Sequence, residues 1–141
     1  MALPKDSIDF LKNFGEVFIF DHHLQEKHDV KLHHNPIIEG ASPKEYPSAS
    51  WVVNDFFGKD PDLLSILGAF GDREEKLKDN DEAMDVIDKV LNDLETEFDD
   101  VLDCAYHLDS NYKLGKRDEV TEMPWFLREV EKPGDILERD D

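Results

Sequence analysis

Asp21, His22 and His23 stand together at the end of an apolar run, Glu16-Val17-Phe18-Ile19-Phe20. Two adjacent imidazoles behind a carboxylate can hold a divalent metal when a fold places them at the rim of a sheet, because a neutral imidazole nitrogen is a metal ligand. A second lone acid, Asp72, follows Gly68-Ala69-Phe70-Gly71 about fifty residues later. A glycine-flanked turn there would deliver it to the same rim. Each residue has a structural alternative: His22 as a strand-end histidine satisfied by hydrogen bonds, Asp72 as part of a helix exit. His33 and His34 are adjacent and His28 is near, but neighbours on a strand point to opposite faces, so the pair cannot chelate one ion. Arg73 could reach a phosphate, although an Arg within Arg73-Glu74-Glu75-Lys76 is more often paired with its neighbours.

The elements that must position these residues follow from pattern. The β-branched and aromatic run before Asp21 predicts a buried strand, and open α/β sheets place their ligands at strand carboxyl ends. Asp29 to about His34 predicts a second strand. Ahead of both, Ser7-Ile8-Asp9-Phe10-Leu11 predicts a short helix ending near Gly15. Pro36 to Pro47 is turn-prone and predicts an irregular loop, after which Ser48-Ala49-Ser50 opens a helix closed by Gly58. Asp60 is the expected capping acid, ahead of Pro61 in the first turn of a helix of nearly all-round apolar character, which must be buried and which leaves at Gly71. From Asp81, taken as a cap, the spacing is helical to Leu94 and continues from Phe98 to Leu108 in a second helix, and Pro124 is expected to open a last helix over about 120–130. Val17, Ile19, Leu67 and Phe70 are the expected core, with Trp51 or Phe56 beside them.

On these residues the chain resembles the DHH phosphoesterases, a family of RecJ-type exonucleases, cyclic-dinucleotide and oligoribonucleotide phosphodiesterases, and manganese pyrophosphatases. Asp21-His22-His23 matches the motif that names the family. Val30-Lys31-Leu32-His33-His34-Asn35-Pro36 is similar to its next strand, and Ser48-Ala49-Ser50-Trp51-Val52-Val53 to the start of its following helix. Leu108 to Tyr112 with Gly115 to Val120 resembles the descent toward the linker in archaeal RecJ-like members. The resemblance implies an α/β fold: a partial DHH domain over 1–132, few parallel strands with flanking helices, then an all-helical part from about residue 81. Residues 133–141 are expected to be a linker-like acidic tail, or a partner-binding strip held by Ile136 and Leu137.

It further implies that His22 and Asp72 bind one metal, Mn²⁺ or Mg²⁺, with side-chain ends within about 8 Å of each other. Asp21 would orient a neighbouring imidazole or the surrounding loop, and His23 would donate to a phosphoryl oxygen. The family's two earlier motifs, a His-x-Asp-x-Asp pattern and a bridging Asp, have no counterpart here. The expectation is therefore an incomplete phosphoesterase acting on single-stranded nucleic acid or small nucleotides, with a partner chain or second copy supplying the missing ligands. The alternative is a non-catalytic DHH-fold scaffold in a replication or repair complex.

Composition bounds both. The 141 residues suit one domain. Sixteen Lys and Arg against 35 Asp and Glu leave a net charge of −19, which opposes unassisted binding of a phosphate backbone. A single cysteine, Cys104, cannot form an internal disulfide and fits a reducing compartment. No stretch has transmembrane length and no leader pattern opens the chain, so a cytoplasmic protein without membrane contact is expected.

Overall fold

The computed structural model describes residues 4–138. Pro4 has extended backbone and no amide hydrogen to lose, and it precedes α1 (Lys5–Leu11), which buries only Ile8. This helix stops one turn earlier than Gly15 suggests. β1 (Phe18–Phe20) and β2 (Leu32–His34) pair in parallel, Phe18 beside Leu32, Ile19 beside His33 and Phe20 beside His34. The Leu32 amide donates to Val17 O and the Asp21 amide to His34 O, at 3.4 and 3.2 Å, so the ladder runs one residue past β1 at each end. Parallel strands need a crossover, and a helix commonly makes it. Here residues 21–31 cross without one, so side chains must satisfy much of that loop's backbone.

The predicted irregular loop begins as a 3-10 turn, Pro36–Glu39. Asn35 caps it by accepting from the Ile37 and Ile38 amides, and Gly40 closes it at φ 105°. α2 (Ala49–Phe56) starts at Ser48, whose hydroxyl accepts from the Trp51 amide. α3 (Leu63–Arg73) opens on a reciprocal cap in which Asp62 and Ser65 each take the other's amide. The two helices meet at Gly68, where a Cβ would lie 2.1 Å from Ser50 Oγ. Only glycine permits that approach. Ser50 Oγ meanwhile donates to the Ser65 carbonyl at 2.8 Å, tying the helices together.

α3 does not leave at Gly71. It runs through Arg73 and is turned by Glu74, at φ 53° and ψ −139°, a conformation that a side chain strains. The expected solvated turn is a 3-10 segment, Glu74–Asp79, whose Leu77 is fully buried. α4 (Asp81–Asp93) is capped by Asn80, which accepts from the Ala83 amide, and not by Asp81. α5 (Phe98–Lys113) and α6 (Arg117–Leu127) follow. Pro124 lies inside α6 and does not open it.

The core is helical and centres on α3. Ile66, Ala69 and Phe70 are fully enclosed, with Ile87, Val101 and Cys104 around them, and the Phe70 ring lies 4.5 Å from that of Phe98. Ile19, Leu67 and Trp51 are buried as expected, but Val17 is half-buried and Phe56 is 42% exposed. Phe56 packs outside that core, its ring 5.1 Å from Phe20. The expected tail is docked as far as residue 138: α7 (Gly134–Leu137) buries Ile136 completely. Cys104 donates its thiol hydrogen to the Pro133 carbonyl. Residues 139–141 of that tail lie outside the described residues. Among the described residues the chain is thus mostly helical with one two-stranded parallel sheet, an α/β arrangement in the loose sense. No helix among the described residues is long and apolar enough to cross a membrane.

Candidate metal centre

At the carboxyl end of β1 the chain turns sharply, and Asp21 makes that turn. Its Oδ1 accepts from the His22 amide at 2.7 Å, the His23 amide at 3.0 Å and His23 Nδ1 at 2.6 Å. Its Oδ2 accepts from Gln25 Nε2 at 2.6 Å. Burial works against this carboxylate, and the bonds from His23 and the two amides outweigh it, holding Asp21 below its ordinary pKa. Donating from Nδ1 places the lone pair of neutral His23 on Nε2.

His22 is turned inward. Its Nδ1 lies 3.2 Å from the Tyr46 carbonyl, an oxygen that can only accept, so Nδ1 carries the hydrogen and Nε2 the lone pair. Nε2 then faces Asp72 Oδ2 at 3.4 Å. Asp72 reaches this point from the last turn of α3, and its side chain is about half exposed. Burial lowers the His22 pKa, with Asp72 opposing, so the ring is neutral at pH 7. A neutral nitrogen lone pair and a carboxylate oxygen therefore point at each other with no proton between them. A cation resolves that opposition, and a carbonyl-anchored imidazole is how proteins orient a metal-ligating histidine.

The ligand-type atoms of Asp21, His22 and His23 also lie within 4.8 Å of one another. Asp21 is the weaker ligand because both its oxygens already accept hydrogen bonds, whereas among the described residues Asp72 meets only His22. Sequence reasoning placed His22 and Asp72 at one site, and the fold brings them together. It puts Asp21 behind the His23 imidazole only, the His22 ring being held instead by the Tyr46 carbonyl. The pair opens on a hollow of about 280 Å³ bounded by Ile8, Ile19, His23, Gln25 and His28. Arg73 is not part of its lining.

His33 and His34 point to opposite faces of β2. His33 is buried, accepts from the His28 amide at Nδ1 and stacks on the His28 ring at 5.2 Å. Burial lowers its pKa, and His28 adds to the effect. His34 lies among Phe20 and Phe56, and its Nε2 is buried with no hydrogen-bond partner among the described residues. Two contributors escaped sequence reasoning. Gln25 links Asp21 to His28, whose Nε2 is 3.3 Å from the Gln25 carbonyl, and Tyr46 contributes only its backbone. Neither carries a motif, since a loop glutamine and a carbonyl are recognisable only by position. Comparison with known proteins gives no match, either to a family model or to a curated protein.

Proposed function

We propose that this chain carries part of a divalent-metal site of DHH phosphoesterase type, with His22 and Asp72 as its ligands for Mn²⁺ or Mg²⁺. The observation that carries the reading is the 3.4 Å approach of His22 Nε2 to Asp72 Oδ2 while Nδ1 is anchored on the Tyr46 carbonyl. A bound divalent ion supplies an acidified water and polarises a phosphoryl oxygen. The chain's own residues do the remainder. His22 and Asp72 hold, Asp21 fixes the turn and the His23 tautomer, and His23 moves a proton at Nε2 or, protonated, donates to a phosphoryl oxygen. The substrate class is a phosphodiester in single-stranded nucleic acid or a small nucleotide, and the compartment a reducing cytoplasm. Two ligands leave a divalent ion largely hydrated, so the rest of the site comes from a partner polypeptide or a second copy.

One observation favours the non-catalytic alternative, a DHH-fold scaffold: no Lys or Arg stands among the described residues lining the hollow, and phosphate clamps commonly use them. Titrating Mn²⁺ into wild type, His22→Ala and Asp72→Asn by calorimetry separates the two. We expect weak 1:1 binding by wild type, lowered about tenfold or more in either variant, as for loss of a metal-site contact. Equal affinity in all three would end the metal reading. A parallel assay on a short single-stranded oligonucleotide should give little turnover by the chain alone. Robust turnover abolished by His22→Ala would show that the chain completes its own site.

A further inference from the structure

β1 stands at an edge of the sheet, yet its sequence is that of an interior strand. Val17-Phe18-Ile19-Phe20 is apolar at every position, a pattern suited to a strand with helices on both faces of its sheet and neighbours on both sides. Edge strands are normally guarded by lysine, proline or polar residues. β2 follows that rule, with Lys31 before it, His33 and His34 within it and Pro36 after it. β1 carries none of these guards, so of the two edges this is the one built to be covered.

The backbone selects what covers it. In a parallel ladder alternate residues bond to one neighbour. The Val17 carbonyl and the Asp21 amide bond to β2, so the groups of Ile19 turn the same way, and the N–H and C=O of Phe18 and Phe20 turn outward. Among the described residues these outward groups meet no backbone partner. Donors and acceptors repeating at that interval are matched by another extended backbone, whereas a helix has already bonded its own groups internally. There is also room. The hollow of about 280 Å³ beside the metal pair is lined by Ile19 and Phe20, neighbours that point to opposite faces of β1, by Ile8 of α1 and by Ala49 of α2. None of the described residues of β2 lines it. It therefore lies off the outer edge and carboxyl end of β1, between α1 and α2. Upstream along the same strand, Phe18 is 53% exposed.

Charge narrows the occupant further. Asp21 and Asp72 line the hollow and no Lys or Arg does so among the described residues, so an acidic segment is repelled and a neutral or basic one admitted. A second copy of this chain would bring its own β1, flanked by Glu16 and Asp21. In either direction an acid would then arrive beside two carboxylates, and like charges set opposite each other destabilise a strand pair.

We propose that the outer edge of β1 takes up an extended apolar segment of a partner protein, free of acidic residues, as an added strand. This rests on the open edge and stands whether or not His22 and Asp72 hold a metal. The test uses three synthetic peptides: alternating Val and Ile between terminal lysines, a copy N-methylated at every central residue, which keeps the side chains and loses the donors, and a copy with Glu in place of the lysines. Calorimetry with the full chain at physiological salt gives the affinities, and amide hydrogen exchange followed by NMR gives the place. The first peptide is expected to bind about tenfold or more tighter than either copy, the worth of one or two backbone hydrogen bonds. It should slow exchange of the Phe18 and Phe20 amides and leave the outward amide of His33 unchanged. Phe18→Pro, which removes an amide that β2 does not use, should abolish binding with the circular dichroism spectrum intact. If that variant fails to fold, the exchange pattern of the wild type decides alone. Equal binding of the N-methylated copy would overturn the proposal, because side-chain adhesion would then suffice. Slowed exchange at His33 instead, or at neither edge, would overturn it too. So would Phe18 and Phe20 amides that become protected as the free chain is concentrated, which would give the edge to a second copy.

Discussion

A buried histidine with a lowered pKa makes folding sensitive to acid, and His22 and His33 are both of this kind. Their folded-state values lie below the ordinary 6.5, so the unfolded chain takes up protons first as pH falls. Their contribution is complete above pH 6.5 and is lost as pH drops through the folded values. Asp21 acts lower still: its depressed pKa stabilises above 3.8 and that stability disappears as pH falls through the folded value. We therefore expect the thermal midpoint to decline between pH 7 and pH 5. His33→Gln, which removes the titration and keeps an acceptor for the His28 amide, should make that decline shallower. An unchanged slope would exclude His33 as a contributor. Asp21→Asn should weaken the turn even at pH 7, because an amide cannot accept from three donors at Oδ1 with the strength of a carboxylate. At this scale the triplet itself was visible in the sequence. Its supports were not, because the Tyr46 carbonyl and Gln25 act through positions that the 21–31 crossover and the Pro36–Pro47 loop create.

Elements were readable where caps and apolar period agreed. Ser48 caps the helix expected of it, α3 is capped by Asp62, two residues after the expected Asp60, so that Pro61 precedes the helix, and the parallel pairing of β1 and β2 agrees with what the resemblance implied. The exit of α3 was misread for a definite reason. Gly71 looks like a terminator, yet no cap uses it, while Glu74 takes the positive φ that glycine usually supplies. Asp72 therefore sits on a rigid helical turn and not in a loop, and its placement depends on where α3 stops. Glu74→Gly should relieve strain and raise stability by about 1 kcal/mol in a denaturant titration; a loss instead would mean that the Glu74 side chain is itself needed. Gly68→Ala should do the opposite. Its Cβ must displace Ser50, which donates to the Ser65 carbonyl, and overpacking of this sort costs about 1–3 kcal/mol. Pro124 misled in the other direction, since proline favours a first turn, but α6 extends ahead of it from Arg117 and tolerates the lost amide on an exposed face.

For the whole molecule the dominating quantity is charge. A net −19 on 141 residues sets acidic surfaces against one another in the compact state, and screening should relieve this. We expect the thermal midpoint to rise as NaCl is raised from about 10 mM to 300 mM, a range over which the screening length contracts severalfold. A midpoint that falls would point to attractive surface pairs as the larger effect. Composition gave this charge directly, but not the way the core is closed. Ile136, expected in a linker, instead fills the space beside Cys104 and the rest of α5. That arrangement has a temporal consequence. A chain is made from its amino end, and α3, α4 and α5 leave the ribosome before their last apolar contact exists. Until residue 136 emerges the helical core has an open side, and a nascent chain stalled before Pro133 holds its helices around a gap that Ile136 fills in the finished fold.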